Sequence, residues 1–202
     1  MNTEDFKSFP WPGDVNIAMD IMFAQQRELL LEYLKVENIS VDSFDINTLE
    51  DQQILKDFLE IRVVEELTEA YEAYKNIEAQ HYKEEIVDAF NFLMEAYIIY
   101  GWDYTELSKI SIDDPCWVDD EDTIKSSMWS VTYSIGMTCN KLKNRLWKQS
   151  QYLVDLLEFE KRFRKVWSEF FDLVQINMSI EELYKEWSKK FQVNKFRLES
   201  KY

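Results

Sequence analysis

Two pairs of carboxylates carry the clearest chemistry in this chain: Glu66 with Glu69 in EELTEA, and Glu85 with Asp88 in KEEIVDAFNF. Acids three residues apart on a helix lie on one side of it, close enough to grip the same ion. Spacing alone does not single them out, because with 39 Asp and Glu in 202 positions roughly seven or eight such pairs arise by chance. Their place on the helical wheel does. Glu66 lies within about 40° of Leu55, Leu59, Ala70 and Ala73, with Glu69 at the edge of that apolar stripe. Glu85 lies within about 20° of Phe92 and Ala96, and Asp88 within about 40° of Phe92 and Ile99.

Carboxylates that lead into a buried surface need compensating charge. The short connection KNIEAQ predicts that the two helices are antiparallel neighbours, so that Glu66, Glu69, Glu85 and Asp88 converge. A hard divalent cation answers such a cluster: Mg²⁺, with Mn²⁺ as its substitute, takes oxygen ligands and commonly binds phosphates as well. The same pattern also suits acids that pair with Lys or Arg of a neighbouring helix, or that face water.

The elements that must position these acids are helices. Only three Gly and three Pro occur, none of either between Gly13 and Gly101, and 46% of the chain is hydrophobic. This predicts one all-α domain spanning residues 1–202, an antiparallel bundle of about five to six helices. Asp14 after PWPG is the expected N-cap of a first helix from Val15 to Lys35. A long helix is predicted from Leu49 to Tyr74, and the helix bearing Glu85 ends at Gly101. DDPCWVDDED, with its proline and six acids, reads as a long loop. Helices are expected at 123–147 and 149–177, and Ser179 with Glu182 is a capping box opening a last short helix. The chain closes in a basic arm, KKFQVNKFRLESKY.

A net charge of −16 argues against broad adhesion to nucleic acid or an anionic membrane. A phosphate-bearing partner must therefore meet a cation or a local basic patch. The arm supplies one, with five basic residues and one acid between Lys189 and Lys201, although a terminus of this kind is also an ordinary solvated tail. Lys143, Arg145 and Lys148 are a second source of positive charge, or simply solvate a helix face. Gln26 turns an amide toward Met19, Met22, Leu30 and Tyr33, where it requires a partner, either a pyrimidine edge or the backbone. Cys116 and Cys139 form no CxxC, and a single His81 leaves little for zinc, so free thiols in a cytoplasmic setting are expected. No uncharged run is long enough to span a membrane.

EELTEA followed by KEEIVDAFNF resembles the ExxE and ExxD signature of the all-α nucleotide pyrophosphohydrolases, the superfamily of MazG-like proteins and dimeric dUTPases. Lys190, Asn194, Arg197 and Tyr202 are similar to the K-x-x-x-N-x-x-R-x-x-x-x-Y close of the dimeric dUTPase branch, which includes phage enzymes acting on dCTP and dUTP. AQQREL is similar to that family's early Gln-containing motif, and CNKLKNRLWKQS to a basic segment of its phage members, within a variable helical insertion at 102–175. The sequence departs from the family where Asn91 stands for a frequent His, and where Leu198 and Lys201 replace a Gln and a Gly.

The resemblance implies an Mg²⁺-dependent dUTP diphosphatase in a homodimer, cytoplasmic or, if phage-encoded, in the host cytoplasm. Glu66, Glu69, Glu85 and Asp88 would hold the metal and carry the catalysis; Gln26, Asn194 and Asn91 would read the base; Lys190, Arg197, Tyr202, Lys143 and Lys148 would bind phosphate. A dCTP-preferring or broader MazG-like enzyme is the alternative within the class. Outside it stands a non-enzymatic acidic helical module that binds a protein partner.

Overall fold

The computed structural model of the chain describes residues 3–37, 39, 44–107, 120–142 and 155–200. All regular structure among them is helical. Asp14 caps α1 (Val15–Glu37) by accepting from the backbone N–H groups of Asn16 and Ile17 at 2.8 and 3.1 Å. Thr48 caps α2 (Leu49–Lys56) through Asp51 N–H. The rod then passes through a π-helical segment, Asp57–Val63, into α3 (Val64–Lys75).

That π segment corrects the expected unbroken helix from Leu49 to Tyr74. Its wider i→i+5 turns rotate α3 relative to α2, so a wheel of constant pitch drawn through Leu55 and Glu66 does not carry across it. Asn76, Ile77 and Glu78 then reverse the chain into α4 (Ala79–Tyr100). Ile77 makes the reversal in the left-handed region at φ 61°, where its branched Cβ is strained. Gly101, at φ 89°, ends α4 without that strain and returns its N–H to Ile98 O.

Two further helices, α5 (Glu121–Cys139) and α6 (Leu156–Gln175), are capped by Asp120 and Asp155 and pack on one another. Asp120 to Asp122 of the expected acidic loop thus open a helix. Ser179 accepts from Glu182 N–H at 3.1 Å, as the capping-box pattern predicts, and starts α7 (Ile180–Ser200). The basic arm expected at the C-terminus is absent as a separate element: α7 carries Lys189 to Arg197 as an unbroken helix. The reason is its apolar face. Leu183, Trp187 and Phe191 are buried four residues apart, each side chain of this kind contributing about 1.5–3 kcal/mol on burial, and no Gly or Pro interrupts them.

The N-terminal segment clamps the same helix. The rings of Phe9 and Trp187 meet edge to face at 6.3 Å, Ser188 Oγ accepts from Phe9 N–H at 2.9 Å, and Gln192 Nε2 donates to Lys7 O at 2.9 Å. At the centre of the fold α4 packs against α1, α3, the π segment and α7, and is buried over most of its length. Tyr97 stacks on Phe163 of α6 at 4.1 Å and donates its hydroxyl to Phe163 O at 2.8 Å, which satisfies the only polar atom of a buried side chain.

Ile77 is 90% exposed, so little packing opposes its replacement, and its backbone strain favours it. Ile77→Gly is expected to stabilise the fold by about 0.5–1 kcal/mol, the relieved left-handed strain outweighing the extra freedom of an unfolded glycine. Urea denaturation measures it, and a lowered midpoint would contradict the assignment of strain.

Candidate functional site

Helices α3 and α4 form a hairpin, and their facing turns bring Glu66, Glu85 and Asp88 together. One carboxylate oxygen from each lies within 4.8 Å of the other two. Glu85 is buried, and Glu66 and Asp88 are half-buried. Glu69 does not join this cluster. It is exposed, one turn beyond Glu66, near enough for its charge to act on Glu66. Of the four acids expected to converge, three do.

The electrostatics of the cluster show a shortage of positive charge. Burial pushes Glu66 up to about 8, and Glu85, Asp88 and Glu69 push in the same direction, so Glu66 keeps its proton where an exposed acid would lose it. Burial also raises Asp88, to about 6, against the pull of Lys190. Lys190 Nζ stands 2.5 Å from Asp88 Oδ2, and His81 Nδ1 is 3.0 Å from Glu85 Oε1. One lysine therefore substitutes for a cation beside three carboxyl groups.

A hard divalent cation fits this donor set. All three donors are carboxylate oxygens, the ligand type such a cation takes, and side-chain rotations would draw them together around it. A bound cation would lift the proton from Glu66 and free Lys190 from Asp88.

The cluster opens into a cavity of about 330 Å³ between α1, α4, α7 and the π segment. Glu66 and Asp88 mark one end. Gln26, Asn91 and Glu95 line it further along, and Lys190, Asn194 and Arg197, spaced four and three residues on one face of α7, close its side. Gln26, Asn91 and Asn194, expected from the sequence to meet a base, thus share one cavity with Lys190 and Arg197, expected to meet phosphate. Lys143, Lys148 and Tyr202, with Arg145, lie outside the described residues.

Several groups in the cavity are polar, buried and available. Asn91 is 4% exposed, and neither its amide nitrogen nor its oxygen has a hydrogen-bond partner, although it stands near enough to Asp88 to favour the ionised form. Gln26, 1% exposed, donates Nε2 to Glu95 Oε1 at 2.8 Å and leaves its oxygen unpartnered. Unsatisfied buried amides of this kind cost about 1–3 kcal/mol each, which a ligand recovers by bonding to them.

The cavity also holds residues the sequence reading passed over. Tyr33 donates its hydroxyl to Asn194 O at 3.1 Å and so ties α1 to α7. Arg62, set in the π segment, spans Asp57 at 3.1 Å and Glu37 at 3.6 Å and lies 4.3 Å from the Phe58 ring centre. Glu95 is buried behind Gln26 and pushed up to about 7 by that burial, against the pull of Gln26 and Arg62. The signal for Glu95 was a charge on the buried side of α4, the same test that selected Glu85. Arg62 carried no such signal, because its orientation follows from the π turn.

One family model, described as dUTPase, matches residues 19–202. None of the curated proteins and none of the solved structures compared with the chain matches it.

Glu66, Asp88 and Glu95 all hold protons more tightly in the folded chain than an exposed carboxyl does. The stability they contribute is complete at low pH and is lost as pH rises through about 6, 7 and 8. Mg²⁺ competes with those protons, so its stabilising effect should grow in the same direction. In thermal melts, the Mg²⁺-induced rise in Tm is expected to be larger at pH about 8.5 than at about 6; an equal or smaller rise at the higher pH would contradict a cation held by these acids.

Proposed function

Because the chain belongs to the dUTPase family, we propose that it hydrolyses dUTP to dUMP and pyrophosphate with Mg²⁺. The single observation that supports this most is one cavity with Glu66 and Asp88 of the three-carboxylate cluster at one end and unsatisfied buried amides further along, flanked by Lys190 and Arg197. A nucleoside triphosphate has the matching parts: phosphates at one end and a hydrogen-bonding base at the other.

Glu66, Glu85 and Asp88 would hold Mg²⁺ or Mn²⁺, with Glu69 at the rim. When bound, the metal supplies charge neutralisation for the triphosphate and lowers the pKa of water. Lys190 and Arg197 grip phosphate oxygens, Arg197 in a two-pronged contact. Gln26, Asn91 and Asn194 orient the base. A Glu66 carboxylate oxygen accepts the proton of the attacking water as the new P–O bond forms and the bond to pyrophosphate breaks.

The wider reading, a dCTP-preferring or broader MazG-like enzyme, uses the same residues, and a panel of dNTPs separates the two. The acidic protein-binding module is disfavoured by the inward-facing acids and by the cations on α7.

The protein would act as a cytoplasmic homodimer. No helix among the described residues is long and apolar enough to cross a membrane. Support for the dimer is an open apolar groove between α3 and α5, lined by Leu67, Tyr71, Met128 and Trp129, with the Trp129 side chain 66% exposed.

Two outcomes are expected. Purified protein with Mg²⁺ releases pyrophosphate from dUTP, and Glu85→Gln lowers kcat at least a hundredfold while leaving the far-UV circular dichroism unchanged; full activity in that variant would remove the carboxylate site from the mechanism. Light scattering gives twice the chain mass, and Trp129→Asp shifts it toward the monomer; a wild-type monomer, or an unaffected dimer in the variant, would displace the interface from this groove.

A further inference from the structure

The sequence FPWPG, Phe9 to Gly13, stiffens the chain ahead of α1. Proline fixes its own φ at about −65° and pushes the residue before it to extended backbone, so Phe9 to Pro12 form an open strap with little freedom to lose on folding. The strap runs antiparallel along α7. Lys7 O accepts from Gln192 Nε2, Phe9 N–H donates to Ser188 Oγ, and the Trp11 ring meets that of Tyr184 at 5.5 Å. Two residues of extended chain advance about 6.6 Å and four of helix about 6 Å, so every second strap residue meets a successive turn of α7. The buried Ser188 hydroxyl gives its hydrogen to Lys185 O, which leaves its oxygen to accept from Phe9. Thr3 Oγ1 anchors the near end of the chain by donating to Glu84 Oε1 of α4 at 2.6 Å. On the wheel of α7, Tyr184 and Gln192 lie within about 40° of Ser188, whereas Lys190 and Arg197 point about 160–180° away from it. The strap therefore stands directly behind the two cations of the cavity.

We propose that this strap, with Phe9 at its centre, is a positioning element for nucleotide binding: it holds α7 at the depth from which Lys190 and Arg197 reach the phosphates. This rests on the pyrophosphohydrolase reading above and adds to it a segment that lies ahead of residue 19, where the family match begins. On the cavity side α7 is tied by the pair of Lys190 with Asp88 and by Tyr33, which donates to Asn194 O. A phosphate that engages Lys190 draws it from Asp88 and removes the first of these ties. The strap's contacts face away from the ligand and persist, so its share in fixing α7 is greatest when nucleotide is bound. Small displacements matter there, because a retreat of about 1 Å takes a hydrogen bond out of its working range. The Phe9 ring, edge-on to both Trp187 and Phe191 at 6.3 Å, is the part of the strap that resists such a retreat.

The test is calorimetric titration of full-length protein with the non-hydrolysable α,β-imido analogue of dUTP, alongside KM and kcat for dUTP. Phe9→Ala is expected to raise Kd and KM at least fivefold while kcat stays within twofold, and Phe9→Leu, which refills most of the space, to return both to within twofold of the wild type. Gln192→Ala removes only the bond to Lys7 O from the half-exposed side of α7, keeps the fold safe, and should raise Kd at least twofold. The decisive readout is a double-variant cycle: in a Lys190→Ala background, Phe9→Ala should weaken the analogue by less than twofold, since the group it positions is gone. An unchanged Kd in both Phe9→Ala and Gln192→Ala, with Tm alone lowered, would show that the strap only stabilises the fold and would overturn the proposal. So would a loss from Phe9→Ala that is undiminished in the Lys190→Ala background. A wild type that neither binds the analogue nor releases pyrophosphate from any nucleotide would instead remove the pyrophosphohydrolase reading, and this role with it.

Discussion

Three carboxyl groups held within 4.8 Å of one another, and only partly in contact with water, are the constraint around which this fold is arranged. Left to themselves they repel, and the chain answers in three ways. Glu66 retains a proton, Lys190 reaches from α7 to Asp88, and His81 sits against Glu85. Each answer is partial. Natural folds seldom concentrate buried acids with so little compensation unless a ligand completes the balance.

The geometry that crowds the acids also spaces out the rest of the cavity. Asp88, Asn91 and Glu95 follow one another at three and four residues along one face of α4, so about 10 Å of straight helix separates the acidic end from the amide end. A helix buried against its neighbours holds that spacing rigidly, so in the proposed function a base would be read by whichever groups stand at a fixed distance from the phosphates. The π segment adds Arg62 to this ruler from the opposite wall, at a site where a regular helix would have turned it elsewhere.

Much of this was legible in the residues. The scarcity of Gly and Pro, the Asp14 and Ser179 caps and the Gly101 terminator locate the helices, because each acts through a local backbone rule. The wheel placed Gln26 and Glu85 among apolar neighbours, and both are buried. It was less faithful for Glu69, which sits at the margin of the stripe, where a few degrees decide between cavity and solvent. The π turn was invisible, since DFLEIRV contains nothing that regular α-helix would reject. The C-terminal segment was read by its charge as an arm, whereas the periodicity of Leu183, Trp187 and Phe191 is what decides its structure.

Carrying its cations on a formed helix has a kinetic side. A flexible arm would have to lose conformational freedom each time it closed over a nucleotide, whereas Lys190 and Arg197 on α7 gave up theirs when the chain folded. What such a site forgoes is a long reach into solvent. In a protein of net charge −16, an approaching polyanion is repelled until it is close to the α7 face. For the proposed nucleotide substrate, encounter would then be governed by ionic strength: added salt thins the repulsive atmosphere around the protein while barely touching short-range contacts inside the cavity, so that moderate salt would speed arrival instead of slowing it.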